Sequence, residues 1–181
     1  MKSRDVAAIA NASVVALLAG CATPNVGNVP MVPDGLKMPA NQTLSLETHA
    51  TGVQIYDCKP NKDDPTRFEW VFRAPEADLF NPAGKKIGKH YAGPTWESND
   101  GSKVVGEVKA RDDGPDVNAI PWLLLSAKST SGDGVFGRTA SVQRVQTVGG
   151  KAPLDGCSRA QAGNETRVPY KATYYFYVVR P

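Results

Sequence analysis

The side chains best suited to chemistry in this 181-residue chain gather between Gly88 and Val108, GKHYAGPTWESNDGSKVVGEV. His90, Tyr91, Trp96, Glu97 and Asp100 stand there among glycines and a proline. An imidazole beside two carboxylates could transfer protons or hold part of a metal site, and Glu97 with Asp100 could form an acid–base pair. Such a site would belong to a hydrolase or a metal-dependent enzyme. The alternative is recognition: Tyr91 and Trp96, in a Gly/Pro-rich loop, could offer an exposed aromatic platform for a flat ligand. His49 and His90 are the two histidines of the chain, and their spacing to other ligands is not that of a zinc or copper centre. No metal is therefore expected.

Two further chemistries are weighed and set aside. Gly132 to Gly137 reads GDGVFG, literally the dinucleotide fingerprint. That motif holds phosphate only where it opens a helix after a strand, and the strand-like run Ala140 to Val148 follows instead. A hairpin loop is expected, and no cofactor. No serine elbow or Cys–His pair is evident.

These residues must be positioned by strands. Thr43 to Thr48 and Val53 to Cys58 alternate around Thr51-Gly52 and predict two neighbouring antiparallel strands. Phe68 to Arg73 predicts a third, Pro75 to Phe80 a short helical turn, and Lys85 to His90 a short strand. Lys103 to Arg111 alternates. Ile120 to Leu125 is the most apolar run of the mature chain and predicts a strand buried on both faces. Ala140 to Val148 and Tyr170 to Val179 complete the series, with Tyr174, Tyr175 and Tyr177 split between core and a solvated face. Trp70 and Trp122 are expected in the core. No segment keeps helical spacing, so the expected fold is all-β, a single antiparallel β-sandwich or barrel-like domain with long loops, spanning residues 40–181.

The amino terminus reports on location. Lys2 and Arg4 precede a mostly apolar run, Val6 to Leu18, too short to span a bilayer as a permanent helix. Leu18-Ala19-Gly20-Cys21 resembles the bacterial lipobox. That resemblance implies a signal peptide over residues 1–20, removal of it, and acylation of Cys21; several acyl chains make a stable anchor. Ala22 after the lipidated cysteine resembles the outer-membrane sorting pattern. The expected location is thus the bacterial cell envelope, facing the periplasm. Residues 21–39, rich in proline and glycine, read as a tether, extending at about 3.1 Å per residue, whose last residues are free to dock on the domain.

Without residues 1–20 the formal charge falls from +3 to +2, which gives no electrostatic case for nucleic acid. The expected partners are the membrane, through Cys21, and a small molecule or an envelope protein. With Cys21 lipidated, Cys58 and Cys157 remain, and in an exported chain they are expected to pair. Closing a loop of about 100 residues would contribute about 4.7 kcal/mol in the chain-entropy model, before strain and residual denatured structure reduce it.

Six strings taken in order carry a wider resemblance: Gly52 to Cys58, Ala74 to Phe80, His90 to Glu97, Asp100 to Gly106, Ile120 to Leu125 and Val168 to Tyr170. Over roughly Leu36 to Val179 the chain resembles the domain-of-unknown-function family three-four-five-five of exported bacterial and fungal proteins. The resemblance supports one domain and the Cys58–Cys157 pairing. It implies no activity, substrate or catalytic residue.

Overall fold

The computed structural model describes residues 31–181; the expected signal peptide, Cys21 and most of the expected tether lie outside the described residues. Eight antiparallel strands follow one another, β1 (Gln42–Pro60), β2 (Phe68–Phe80), β3 (Lys86–Tyr91), β4 (Thr95–Ser98), β5 (Lys103–Asp112), β6 (Trp122–Ser131), β7 (Ser141–Gly149) and β8 (Glu165–Val179). Each pairs with its sequence neighbour, and β1 pairs with β8, so the sheet closes into a ring rather than splitting into two packed layers. Closure leaves no long edge open to intermolecular pairing.

Two local expectations are corrected. The runs on either side of Thr51-Gly52 belong to one 19-residue strand. A turn there would have left the backbone of Thr51 and Gly52 without strand partners, whereas they pair with Asp78 and Ala77 on one side and Lys171 and Tyr170 on the other. Pro75 to Phe80 is strand, not a helical turn. Proline is tolerated because β2 pairs with β3 only over Ala77 to Phe80, so at Pro75 the strand has a partner on its β1 side alone. The register of β1 on β2 also slips just there, passing over Arg73, as a bulge allows.

Two apolar clusters fill the two faces of the ring. The inner one includes Ala50, Leu79, Trp96, Val104, Leu125, Phe136, Val142, Tyr174 and Phe176. The outer one joins Leu36 to Trp122, Val145, Tyr175 and Tyr177. The segment ahead of β1 does dock: Leu36 is 1 % exposed and lies over the outside of β5 to β8. For that reason Tyr175 and Tyr177 are buried on the outer face, while Tyr174 is buried inside the ring, so none of the three faces solvent as expected. Trp122 is buried in the outer cluster, while Trp70 is half-buried and donates its Nε1–H to Gly156 O at 2.6 Å.

The GDGVFG segment is the β6–β7 hairpin loop, and it closes one end of the ring. Phe136, fully buried, packs on Phe176 with ring centroids 4.6 Å apart. Cys58 and Cys157 are bridged, with Cα atoms 6.1 Å apart, and tie the β7–β8 loop to the end of β1.

Candidate functional site

The five expected site residues do not converge. Their strand positions separate them by alternation. The β3–β4 hairpin pairs His90 with Trp96 and Tyr91 with Thr95. His90 and Trp96 therefore point into the ring, while Tyr91 and Glu97 point out. Asp100 sits in the turn before β5.

Trp96 is 1 % exposed, so the exposed Tyr91–Trp96 platform is corrected. Its indole stacks on the His90 imidazole at 4.6 Å and meets Tyr174 and Phe176 edge-on. Room for it comes from Gly106 of β5, where a Cβ would come within 2.9 Å of the indole. His90 is held by Thr95 O, 2.8 Å from Nδ1. A carbonyl only accepts, so Nδ1 carries the proton and Nε2 the lone pair. Burial holds the imidazole pKa down at about 3, which makes His90 a neutral ring at physiological pH.

On the outside, Tyr91 donates its hydroxyl to Glu97 Oε2 and Lys103 approaches the same oxygen at 3.2 Å. The phenol's hydrogen bond lowers the Glu97 pKa, and Glu97 in turn raises that of Tyr91. This half-exposed trio leaves the carboxylate engaged by its neighbours on the outer side of the ring. Asp100 is structural in a different way. Oδ1 accepts from the Ser102 hydroxyl and N–H, and Oδ2 accepts from Val135 N–H at 2.9 Å. Those bonds, led by the Ser102 hydroxyl, hold its pKa at about 2 and fasten the loop that carries Phe136. Gly134 allows the approach, since a Cβ there would meet the carboxylate at 2.3 Å. No group of three or more potential metal ligands occurs among the described residues.

A different site lies at the ring end opposite Phe136. A half-open cavity of about 490 Å³ is walled by the second half of β1, the start of β2, the β3–β4 turn, the end of β5, and β6 and β7 with their flanking segments. That volume is within the usual small-molecule range of roughly 300–1,000 Å³. Tyr56, Phe72, Val108, Ile120 and Leu123 give it a mostly apolar wall, and His90 lies at its floor. Tyr56 is fixed by donating to Gly150 O at 2.6 Å.

Two polar residues of this cavity are not among those the sequence reading singled out. Gln54 of β1 is 2 % exposed, and its Nε2 has no hydrogen-bond partner. Arg144 of β7 is half-buried and donates Nε–H and Nη2–H to Pro121 O, at 3.0 and 2.8 Å, but forms no ion pair among the described residues. Behind them the Tyr170 and Tyr174 hydroxyls are buried and face one another without a formed hydrogen bond. Burial pushes both phenols up in pKa, so both are neutral, although the Arg144 charge pulls the other way. The signal available in sequence was weak: Arg144 alternates with Val142 on the inward face of a strand, and Gln54 stands between Val53 and Ile55.

The family model for the protein of unknown function DUF3455 matches residues 39–178. The chain belongs to this family. The match spans all eight strands but for the last residue of β8 and takes in the cavity whole. No curated protein and no solved structure matches the chain.

Proposed function

We propose that this DUF3455 protein is a lipid-anchored binding module of the bacterial envelope, which takes up a small molecule at the open end of its ring. The observation that supports binding is the cavity itself, apolar in its wall and holding the Gln54 Nε2 donor, which lies near the Tyr170 hydroxyl but has no formed hydrogen bond. A buried amide without a partner costs on the order of 1–3 kcal/mol, which an acceptor on a ligand would recover. The lipobox-like Leu18 to Cys21 supports anchoring, with the ring facing the periplasm, and the Cys58–Cys157 bridge suits an oxidising compartment. The enzymatic alternative built on His90, Glu97 and Asp100 has no support in the geometry, because these groups face three different directions.

Two measurements test the reading. Palmitate labelling in a bacterial host should mark the wild-type chain and not Cys21→Ser; equal labelling would end the anchoring claim. The neutral fluorophore N-phenyl-1-naphthylamine should bind saturably with one site. Val108→Trp, which fills the cavity from its exposed wall, should weaken that binding about tenfold or more at unchanged thermal midpoint. Binding that ignores this substitution would move the site elsewhere.

A further inference from the structure

The cavity has a sign. Four of its lining residues carry charge, Arg73, Arg111, Arg144 and Lys151, all positive, and no aspartate or glutamate lines it. Two of them are held by carboxylates, Arg73 by Asp57 and Glu165 and Arg111 by Asp113 at 3.5 Å, and Lys151 is exposed at the rim, where it donates to Val117 O. Arg144 differs. Its two described hydrogen bonds go to one neutral carbonyl, and its remaining N–H groups, with the neutral Tyr174 hydroxyl nearby, form no further one among the described residues. A guanidinium cannot shed its charge, and a half-buried cation in a mostly apolar wall gains strongly from a paired oxyanion. Its charge is felt at Tyr56, His90, Tyr170 and Tyr174, so it acts across the cavity floor and not only at the rim.

Resting on the binding site proposed above, we infer that the ligand is an amphipathic organic anion: one oxyanion head on the free edge of Arg144 and the Gln54 Nε2–H, and an apolar body along Tyr56, Ile120 and Leu123. Arginine offers carboxylate or phosphate two parallel N–H donors, which fixes orientation as well as adding energy. Lys151 at the rim, which no carboxylate pairs among the described residues, would speed capture of anions by its field. His90, a neutral ring with its proton committed to Thr95 O, adds no second charge at the floor.

The experiment uses the full chain with Cys21→Ser, so that no lipid or detergent competes, and titration calorimetry with matched pairs. Octanoate is compared with 1-octanol, and 3-phenylpropionate with 3-phenylpropan-1-ol; octyl phosphate is the third anion. Each acid should bind about tenfold or more tightly than its alcohol, and the preference should shrink as salt is raised. Arg144→Met should bring acid and alcohol within about twofold. Arg144→Lys, which keeps the charge and loses the fork, should retain a reduced preference and so separates lost charge from lost fold. The alkyl and aryl arms distinguish a chain-like from a ring-like body, and octyl phosphate distinguishes the head group. Equal affinity for acid and alcohol in the wild-type chain would overturn the anion assignment and leave the cavity reading standing. Binding of none of these probes, together with failure of the neutral fluorophore, would overturn both.

Discussion

Gln143 and Gln54 are both fully buried glutamines on strands of one ring, and they have opposite surroundings. Gln143 faces outward, under the docked amino-terminal segment. Its Nε2–H is donated to Leu36 O at 2.6 Å, and its Oε1 accepts from Tyr177 at 2.7 Å. Gln54 faces inward at the cavity, and its Nε2 has no partner. One amide is consumed by the fold; the other is left over from it. Neighbours on β7 divide in the same way, with Gln143 on the sealed outer face and Arg144 at the open inner end. The contrast teaches where to look for function in a ring of this kind: a satisfied buried polar group specifies packing, and an unsatisfied one at a cavity is a binding group.

Four expected outcomes would sharpen or break that contrast. The largest concerns the cover of the outer face. Leu36→Ala should cost about 2–5 kcal/mol in chemical denaturation, as for other buried leucines, by opening a void over Trp122 and Tyr177. A loss within error would mean that the segment merely rests on the ring.

The inner floor is tested by pH. The folded His90 pKa is about 3, below the unfolded value of about 6.5, so the unfolded state takes up the proton first as pH falls. Stability from keeping this ring neutral is present in full above about pH 6.5 and falls by about 1.4 kcal/mol per unit towards pH 3. Comparing unfolding free energies at pH 7 and 4.5, His90→Phe should show a shallower decline than the wild type. Parallel declines would mean that His90 gains a proton without cost in the folded ring.

Smaller effects come from the two amides themselves. Gln143→Leu should destabilise by about 1–3 kcal/mol, because Leu36 O and the Tyr177 hydroxyl lose their partners under cover. Gln54→Leu should be neutral or slightly stabilising in the unliganded chain, since the replaced donor bonds nothing, yet it should weaken octanoate binding. If the two substitutions cost the same, the distinction between sealed and open faces is wrong.

Strand identity was largely legible in the sequence. Period-two alternation in Lys103 to Arg111, Ala140 to Val148 and Tyr170 to Val179 marked β5, β7 and β8, and the apolar run at Ile120 to Leu125 marked the two-sided burial of β6. The exceptions have local causes. Gly52 looked like a turn because glycine permits one, yet here it lies between two partner strands, where a Cβ would meet the Glu76 carbonyl at 2.1 Å. Pro75 looked like a helix start because only the pairing of β2 reveals that its missing N–H is harmless.

The site was far less legible. The Gly88–Val108 stretch looked like a functional loop because it is rich in polar and aromatic side chains between glycines. In the fold it is a hairpin and a turn, whose alternation sends His90 and Trp96 inward, Tyr91 and Glu97 outward, and Asp100 to the loop of Phe136. Arg144 and Gln54 lie 90 positions apart in the chain and meet at one cavity only because β1 and β7 both flank β8.

The sequence alone thus determined the all-β class, most strand positions, the hairpin nature of GDGVFG and the pairing of Cys58 with Cys157, because each depends on local periodicity, turn chemistry or a count of thiols. Tertiary structure decided that the sheet closes, that Leu36 covers the outer tyrosines, and that Arg144, without an ion pair among the described residues, shares a cavity with the Gln54 amide. Those depend on which strands become neighbours, a long-range outcome that no short window of residues encodes.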